Sequence, residues 1–307
     1  MRVIFWGTPE FAIPSLDKIY LSSRDLCAIV TVTDKARGRG MKPAESPVKK
    51  YALEREIPVL QPPIGEGQAD NLRDERFIEE LKSYNADIFV IVAFKILPRE
   101  IFSMPIYGSF NLHASLLPRF RGAAPIQWAL IKGDKVTGVT TFKIEDKVDT
   151  GNVYLQKQIS IEESDNFRTI HDKLSQIGGQ AVQETLDLID SGNFSLLLQD
   201  HSLATPAPKI TKEICEIDWR QSAESIHNLI RGLSPSPCAF FIHNNNIIKI
   251  LDSAVSSDNL PESGAFYQTK NELFVGCGAG SLKITELQRE GKRKMYIDEF
   301  LRGYSFK

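Results

Sequence analysis

Apolar residues in the first half of the chain fall in short, nearly continuous runs separated by amphipathic stretches. Val3-Ile4-Phe5-Trp6 predicts a buried strand from Arg2 to Trp6, and Gly7-Thr8-Pro9-Glu10 turns into a helix through about Tyr20. Thr8 suits the N-cap of that helix and Pro9 its first position. Leu26 to Val32 reads as a second strand, Ser46-Pro47 repeats the cap-and-proline signal for a helix to about Arg55, and Ile57 to Leu60 is a short strand. A helix follows over 70–84. Asp87 to Val92 is apolar at nearly every position, as expected of a strand covered on both faces. Gly108 to His113 is a strand, Ala123 to Ile131 a helix, and Val136 to Ile144 and Val153 to Ile161 are two more strands. This strand–helix alternation predicts an open, mostly parallel, Rossmann-like α/β sheet.

A long helix is expected from Asn166 to Asp190, where Phe167, Ile170, Leu174, Ile177, Ala181 and Ile189 recur at helical spacing. Gly178-Gly179 weakens it from within. Gln199 to Pro208, ending in Thr205-Pro206-Ala207-Pro208, reads as a linker. The period then changes. After a short helix near Ser222 to Arg231 come strand-sized runs at Cys238–His243, Ile247–Ala254, Gly264–Tyr267, Glu272–Val275 and Ser281–Leu287, bounded by Asn, Gly, Pro and Ser. Such spacing predicts a small, open, OB-like β-barrel. The expected domains are 1–190, a linker at 191–208, and 209–307.

Composition narrows the function classes. A chain of 307 residues, 42 % hydrophobic and 25 % charged, builds an ordinary globular protein rather than a disordered or collagen-like one. The net charge of −2 excludes a surface coated in positive charge, so any nucleic-acid contact is local. The local candidate is the stretch 31–50. There Lys35, Arg37, Arg39, Lys42, Lys49 and Lys50 face only Asp34 and Glu45. Without apolar periodicity, Arg37-Gly38-Arg39-Gly40 is expected to be a mobile loop, and a plain solvated loop is the commoner explanation of such a charge run. Cys27, Cys215, Cys238 and Cys277 are widely spaced, which predicts buried reduced thiols rather than a disulfide framework or zinc site. The apolar run after Met1-Arg2 is too short for a signal peptide or a membrane span, so a cytoplasmic protein is expected.

The densest chemistry lies in Asn111-Leu112-His113-Ala114-Ser115-Leu116-Leu117-Pro118-Arg119-Phe120-Arg121-Gly122. Residues two apart on a strand share a face, which sets the Asn111 amide beside the His113 imidazole at a strand end. Open α/β sheets bind ligands outside the carboxyl ends of their strands. An amide that can donate to an oxyanion next to an imidazole suits acyl-type transfer. An isolated N-x-H is more often a buried pair satisfied by backbone. Asp146-Lys147-Val148-Asp149-Thr150-Gly151 follows in a turn between strands, where a carboxylate can orient His113 and favour its charged form, or simply bond its own backbone. Asp-Thr-Gly also marks aspartic proteases, but those need two copies and this chain has one. Neither G-x-G-x-x-G nor a P-loop is present. Gly276-Cys277-Gly278-Ala279-Gly280 reads as a hairpin loop. His171, His201, His227 and His243 have no ligand spacing, so no metal is expected.

These stretches together resemble the methionyl-tRNA formyltransferase family. The resemblance is carried by Gly7-Thr8-Pro9-Glu10-Phe11-Ala12, Gly38-Arg39-Gly40, Ser46-Pro47-Val48-Lys49, Asn111-Leu112-His113, Ser115-Leu116-Leu117-Pro118, Arg121-Gly122-Ala123-Ala124-Pro125-Ile126, Gly138-Val139-Thr140 and Asp149-Thr150-Gly151. Lys209, Ile217-Asp218-Trp219 and Ile230-Arg231 extend it into the second half. It implies a Rossmann-like catalytic domain and a C-terminal open barrel. It also implies transfer of formyl from 10-formyltetrahydrofolate to the α-amine of methionine on initiator methionyl-tRNA, for translation initiation. By position, Asn111, His113 and Asp149 match the catalytic trio. Phe94, Lys95, Ile96 and Leu97 match the pterin-binding segment, with Ser115, Leu116, Leu117 and Pro118 also on the folate side. The loop carrying Arg37, Arg39 and Lys42 resembles one that enters the acceptor stem, Lys209 a lysine that contacts the RNA, and Phe11 a neighbour of the methionine side chain. A monomer with no membrane contact is implied. Ala93 to Pro98 is one residue shorter than the commoner A-Y-G-x-I-L-P form, and Thr31-Val32-Thr33-Asp34 lacks the usual Pro. A formyltransferase or formyl-folate hydrolase for small molecules would share the Asn-His-Asp set. A non-catalytic RNA-binding module would leave that set unexplained.

Overall fold

A computed structural model describes residues 1–37, 42–258, 260 and 262–306. The chain divides into two compact units. The first comprises 1–122, 138–159 and 172–206, and the second 123–137, 160–171 and 207 onward.

The strands of the first part are β1 (Arg2–Gly7), β2 (Asp25–Val30), β3 (Lys35–Arg37), β4 (Lys42–Ala44), β5 (Val59–Leu60), β6 (Ile88–Val92), β7 (Ser109–His113), β8 (Val136–Lys143) and β9 (Val153–Ser160). The helices are α1 (Ile13–Tyr20), α2 (Pro47–Leu53), α3 (Glu75–Ser83), α4 (Arg99–Phe102), α5 (Pro125–Ile131) and α6 (Phe167–Ser191). Seven strands form one sheet in the order β5-β2-β1-β6-β7-β8-β9. From β5 to β7 the neighbours run parallel, and β8 turns antiparallel to β7. The central strands are apolar at nearly every position because helices cover both faces. Ile4, Trp6, Phe89 and Ile91 pack with Phe77 and Leu81 of α3 into one buried cluster.

Local chemistry explains where the elements begin. Ser46 caps α2 as predicted, its hydroxyl accepting from Lys49 N–H at 3.0 Å. The helix expected from Thr8 does not start there. Glu10–Ala12 form a single 3₁₀ turn and α1 begins at Ile13, with Pro14 in its first turn. A helix opening at Pro9 would have put Pro14, which has no N–H, in its interior. The helix expected over 70–84 starts later, where the Asp74 carboxylate accepts from Phe77 N–H at 3.0 Å. In the basic stretch Lys35–Arg37 pairs antiparallel with Lys42–Ala44, Arg37 opposite Lys42, and Gly38-Arg39-Gly40 of the expected loop lie outside the described residues. Helix α6 runs 25 residues through Gly178-Gly179 without a break. A Cβ on Gly178 would lie 2.7 Å from Leu112 Cδ2, and one on Gly179 2.8 Å from the Pro14 carbonyl. The two glycines let α6 press against β7 and the start of α1.

The second unit holds α7 (Lys212–Cys215), α8 (Ala223–Leu233), β10 (Ala239–His243), β11 (Asn246–Ser256), β12 (Phe266–Gln268), β13 (Leu273–Gly276), β14 (Ser281–Arg289), β15 (Lys294–Tyr296) and α9 (Ile297–Phe300). Its antiparallel sheet has the order β10-β11-β14-β13-β12, with β15 also on β14. Ile248, Ile250, Val275, Leu282 and Ile284 form its core with Ile226 and Ile230 of α8. Helix α5 joins this unit. Ile131 packs on the same core, Trp128 Nε1 donates to the Pro208 carbonyl at 2.8 Å, and Ala124 N–H donates to the Ala207 carbonyl at 3.1 Å. The buried Arg231 ties in 160–171, with Nη1 donating to the Glu162 carbonyl at 3.1 Å. All four cysteines are buried and unpaired. Among the described residues no helix is long and apolar enough to cross a membrane.

Candidate active site

Asn111 and His113 lie on one face of β7, opposite Phe142 and Thr140 of β8. The Asn111 amide is half-buried and has no hydrogen-bond partner among the described residues. His113 is 6 % exposed, and its Nε2 stands 2.8 Å from the Phe120 carbonyl. A carbonyl only accepts, so Nε2 carries a proton and the other ring nitrogen faces the site. That nitrogen, Nδ1, is 3.8 Å from Asp149 Oδ2. This separation is beyond a hydrogen bond.

Asp149 comes from the loop between β8 and β9. Its backbone holds φ +54° and its carboxylate accepts from Gly122 N–H at 2.8 Å. Phe120 and Ala93 also hold positive φ, +58° and +50°. Non-glycine residues in this region cost about 1–3 kcal/mol each and persist where the surroundings enforce them. Three such residues sit in the loops that follow β6, β7 and β8. A cavity of about 780 Å³ opens beside the Asp149 loop, lined by Arg99, Phe102, Arg121, Asp146, Thr150, His201 and their neighbours. Arg99 pairs with Asp146 at 3.0 Å. Burial pushes the Arg121 guanidinium down from its usual value while the Asp149 charge pulls it up.

The segments expected to hold folate are placed as follows. Phe94 packs edge-on to Trp6 with ring centroids 5.4 Å apart, and Leu97 is buried in the sheet's core. Ile96 is 74 % exposed. Lys95 pairs with Asp70, whose carboxylate is enclosed and also accepts from Thr33 N–H at 3.3 Å. Burial pushes the Asp70 carboxyl up, but the bonds from Lys95 and Thr33 outweigh it and leave the group below the usual carboxylate value. Ser115 and Leu117 are buried, and Leu116 and Pro118 are half-buried. Thr140 Oγ1 pins this turn by donating to the Ser115 carbonyl at 2.7 Å, and Gln156 Nε2 donates to the Leu117 carbonyl at 2.8 Å.

The candidates for RNA contact fall in both units. Arg37 and Lys42 lie on the β3–β4 pair, and Arg39 lies outside the described residues. Phe11 is buried, its carbonyl accepting from Ser175 Oγ at 2.9 Å. Lys209 is exposed in the second unit. Sequence inspection missed the Phe120 carbonyl, the Gly122 N–H, and the side chains of Gln199 and His201. The first two are backbone groups with no sequence signal, and the last two sit in a stretch that reads as a linker.

Two family models match the chain: formyl transferase over residues 1–186, and formyl transferase, C-terminal domain, over 209–305. The methionyl-tRNA formyltransferase of Caldanaerobacter subterraneus subsp. tengcongensis is 46 % identical, the match covering 99 % of this chain and 97 % of that protein. Among solved structures, the sugar 3N-formyl transferase WlaRD, determined in the presence of dTDP and 5-N-formyl-THF, superposes with a TM-score of 0.69 at 19 % identity. That match covers 95 % of this chain and 99 % of WlaRD. HypX from Aquifex aeolicus, in complex with tetrahydrofolic acid, gives 0.63 at 16 % identity over 98 % of this chain. The chain spans about half of HypX, 47 % of its length. At these identities the structural likeness concerns the fold.

Proposed function

The chain belongs to the methionyl-tRNA formyltransferase family, and from that membership we propose that it transfers formyl from 10-formyltetrahydrofolate to the α-amine of initiator methionyl-tRNA, for translation initiation. The observation that carries the chemistry is the placement of the Asn111 amide, without a hydrogen-bond partner among the described residues, on the same face of β7 as a His113 ring fixed through Nε2, with the Asp149 carboxylate 3.8 Å from Nδ1.

The neutral α-amine attacks the formyl carbon, and negative charge develops on the formyl oxygen. The Asn111 amide and the protonated Nδ1 of His113 stabilise that oxyanion. The Phe120 carbonyl holds the ring at its far side, and Asp149 balances the imidazolium charge. The amine gives up its proton, relayed by water to folate N10, as the carbon–N10 bond breaks. Phe94, Lys95, Ile96 and Leu97 together with Ser115, Leu116, Leu117 and Pro118 are the folate side of the site. Phe11 adjoins the methionine, Arg37, Arg39 and Lys42 meet the acceptor end, and Lys209 contacts RNA from the second part. The functional division is 1–190 for catalysis, 191–208 as the connection, and 209–307 for RNA. The protein works as a cytoplasmic monomer, and no step needs a metal.

The test is to incubate the protein with 10-formyltetrahydrofolate and charged initiator tRNA and to measure formyl-methionine. Removing an oxyanion donor typically costs about 10²–10³ in rate. Asn111→Ala, His113→Ala and Asp149→Ala each lower single-turnover transfer by at least that order while the fold, followed by circular dichroism, stays intact. Near-wild-type transfer by His113→Ala rules the assignment out.

A further inference from the structure

Gln199 lies in a stretch whose composition reads as a linker, yet its side chain is 9 % exposed and every polar group it has is used in the first unit. Its Nε2 donates to the carbonyls of Asp149 at 3.1 Å and Gly151 at 2.7 Å. Its Oε1 accepts from Arg121 Nη2 at 2.5 Å, and the same Nη2 lies 2.9 Å from His201 Nδ1. Arg121 precedes Gly122, whose N–H holds the Asp149 carboxylate. One amide therefore fixes Asp149 twice: at its own carbonyl, and through the residue beside its carboxylate's donor.

The neighbouring residues extend the pattern. Thr205 Oγ1 accepts from Phe120 N–H at 2.9 Å, and the Thr205 carbonyl accepts from Arg121 N–H at 2.9 Å. Phe120 supplies the carbonyl that holds His113 Nε2. Both groups that face the His113 ring thus hang from the segment 199–205. Asp149 and Phe120 are also residues with positive φ, which relax toward common backbone angles unless something holds their peptide groups.

We infer that Gln199 is a positioning residue for formyl transfer, setting the Asp149 loop so that the carboxylate stands at its working distance from His113. The inference rests on the formyl-transfer function proposed above. A displacement of about 1 Å at a catalytic group can cost about 10²-fold in rate. Gln199→Glu keeps an acceptor for Arg121 but cannot donate to the two carbonyls, and Gln199→Ala loses both functions.

The experiment measures kcat and KM for wild type, Gln199→Ala and Gln199→Glu with 10-formyltetrahydrofolate and methionyl-tRNA, and repeats Gln199→Ala on an Asp149→Asn background. The expected result is a loss of 10- to 100-fold in kcat for both single variants, with each KM within threefold. In the Asp149→Asn background Gln199→Ala costs less than threefold, because residues acting through one another are not additive. A loss that multiplies fully across the two backgrounds, or a Gln199→Glu variant with wild-type kcat, overturns the inference. A second measurement needs no turnover: the His113 Nδ1 resonance moves in Gln199→Ala in the same direction as in Asp149→Asn, and an unmoved resonance overturns the inference. A wild-type protein that makes no formyl-methionine refutes the proposed reaction alone, since the resonance still decides whether Gln199 positions Asp149.

Discussion

Gly151 offers a quantitative test of how closely the site tolerates displacement. It is buried two residues after Asp149, and its carbonyl is one of the two that Gln199 holds. A Cβ at this position would stand 1.7 Å from the Lys143 carbonyl oxygen and 2.9 Å from its carbon. Real Cβ contacts begin at 3.0 Å, so Gly151→Ala must open the contact by more than 1 Å. The Lys143 backbone resists, because the residue pairs with Phe110 of β7 and the next N–H, that of Ile144, donates to the Ser109 carbonyl at 2.9 Å. The 149–151 turn therefore moves instead, carrying the Asp149 carboxylate away from His113. A misplacement of that size lowers the chemical step by about 10²-fold. Single-turnover quench measurements with labelled methionyl-tRNA read the rate, and thermal unfolding checks the fold. Gly303→Ala, with nothing within 4 Å of the added carbon, is the control and leaves both unchanged. A Gly151→Ala protein within threefold of the wild-type rate refutes the claim that this close approach sets the catalytic geometry.

Three further outcomes follow from groups away from the reacting atoms. Burial, with a smaller effect of Arg231, holds His227 below its usual value, while Ser253 Oγ lies 3.0 Å from its Nδ1. The unfolded chain then binds a proton more readily, so stability falls as pH drops below about 6.5. Thermal melts of His227→Gln between pH 7.5 and 5.5 flatten that decline, and an unchanged slope refutes it. Asp70 has the depressed value of a bonded carboxylate, so its contribution is complete above about pH 4 and is lost as pH falls further. Asp70→Asn lowers the melting temperature at pH 7 and narrows the gap to wild type at pH 3; a constant gap counts against the Lys95 and Thr33 bonds as the cause. Leu282 is fully buried in the second unit, and Leu282→Ala costs about 2–5 kcal/mol in urea unfolding. A cost below about 1 kcal/mol contradicts the packing described.

Periodicity located most of the elements because each strand and helix carries its own burial pattern. Ser46, Pro47 and Ser222 marked helix starts through chemistry local to the chain. The start of α1 is set not by Pro9 but by Pro14, whose missing N–H fits only a first turn. The Gly178-Gly179 pair looked like a weakness, since the partners that require it, Leu112 and Pro14, are distant in sequence. Side chains of the candidate trio were visible as residue types, and the placement of Asn111 beside His113 followed from strand alternation. What surrounds them was not visible. The Phe120 carbonyl and the Gly122 N–H are backbone groups aimed by unusual φ values, and no residue type announces them. Gln199 sits among prolines and small residues, where composition says connection and only long-range bonds say otherwise.

The membership of α5 in the second unit bears on how this chain can be divided. Residues 123–137 sit in mid-sequence, well inside the first family match, yet Ile131 is packed on the core of a unit built mainly from residues beyond 206. A recombinant fragment ended at 208 would keep Asn111, His113, Asp149, Gln199 and Thr205 but strip α5 of α8, where Gly232 now lies against Ile131 and the Gln127 carbonyl. Such a fragment would expose Ile131, which now packs on the second unit's core, and would lose the close approach of α8 to α5.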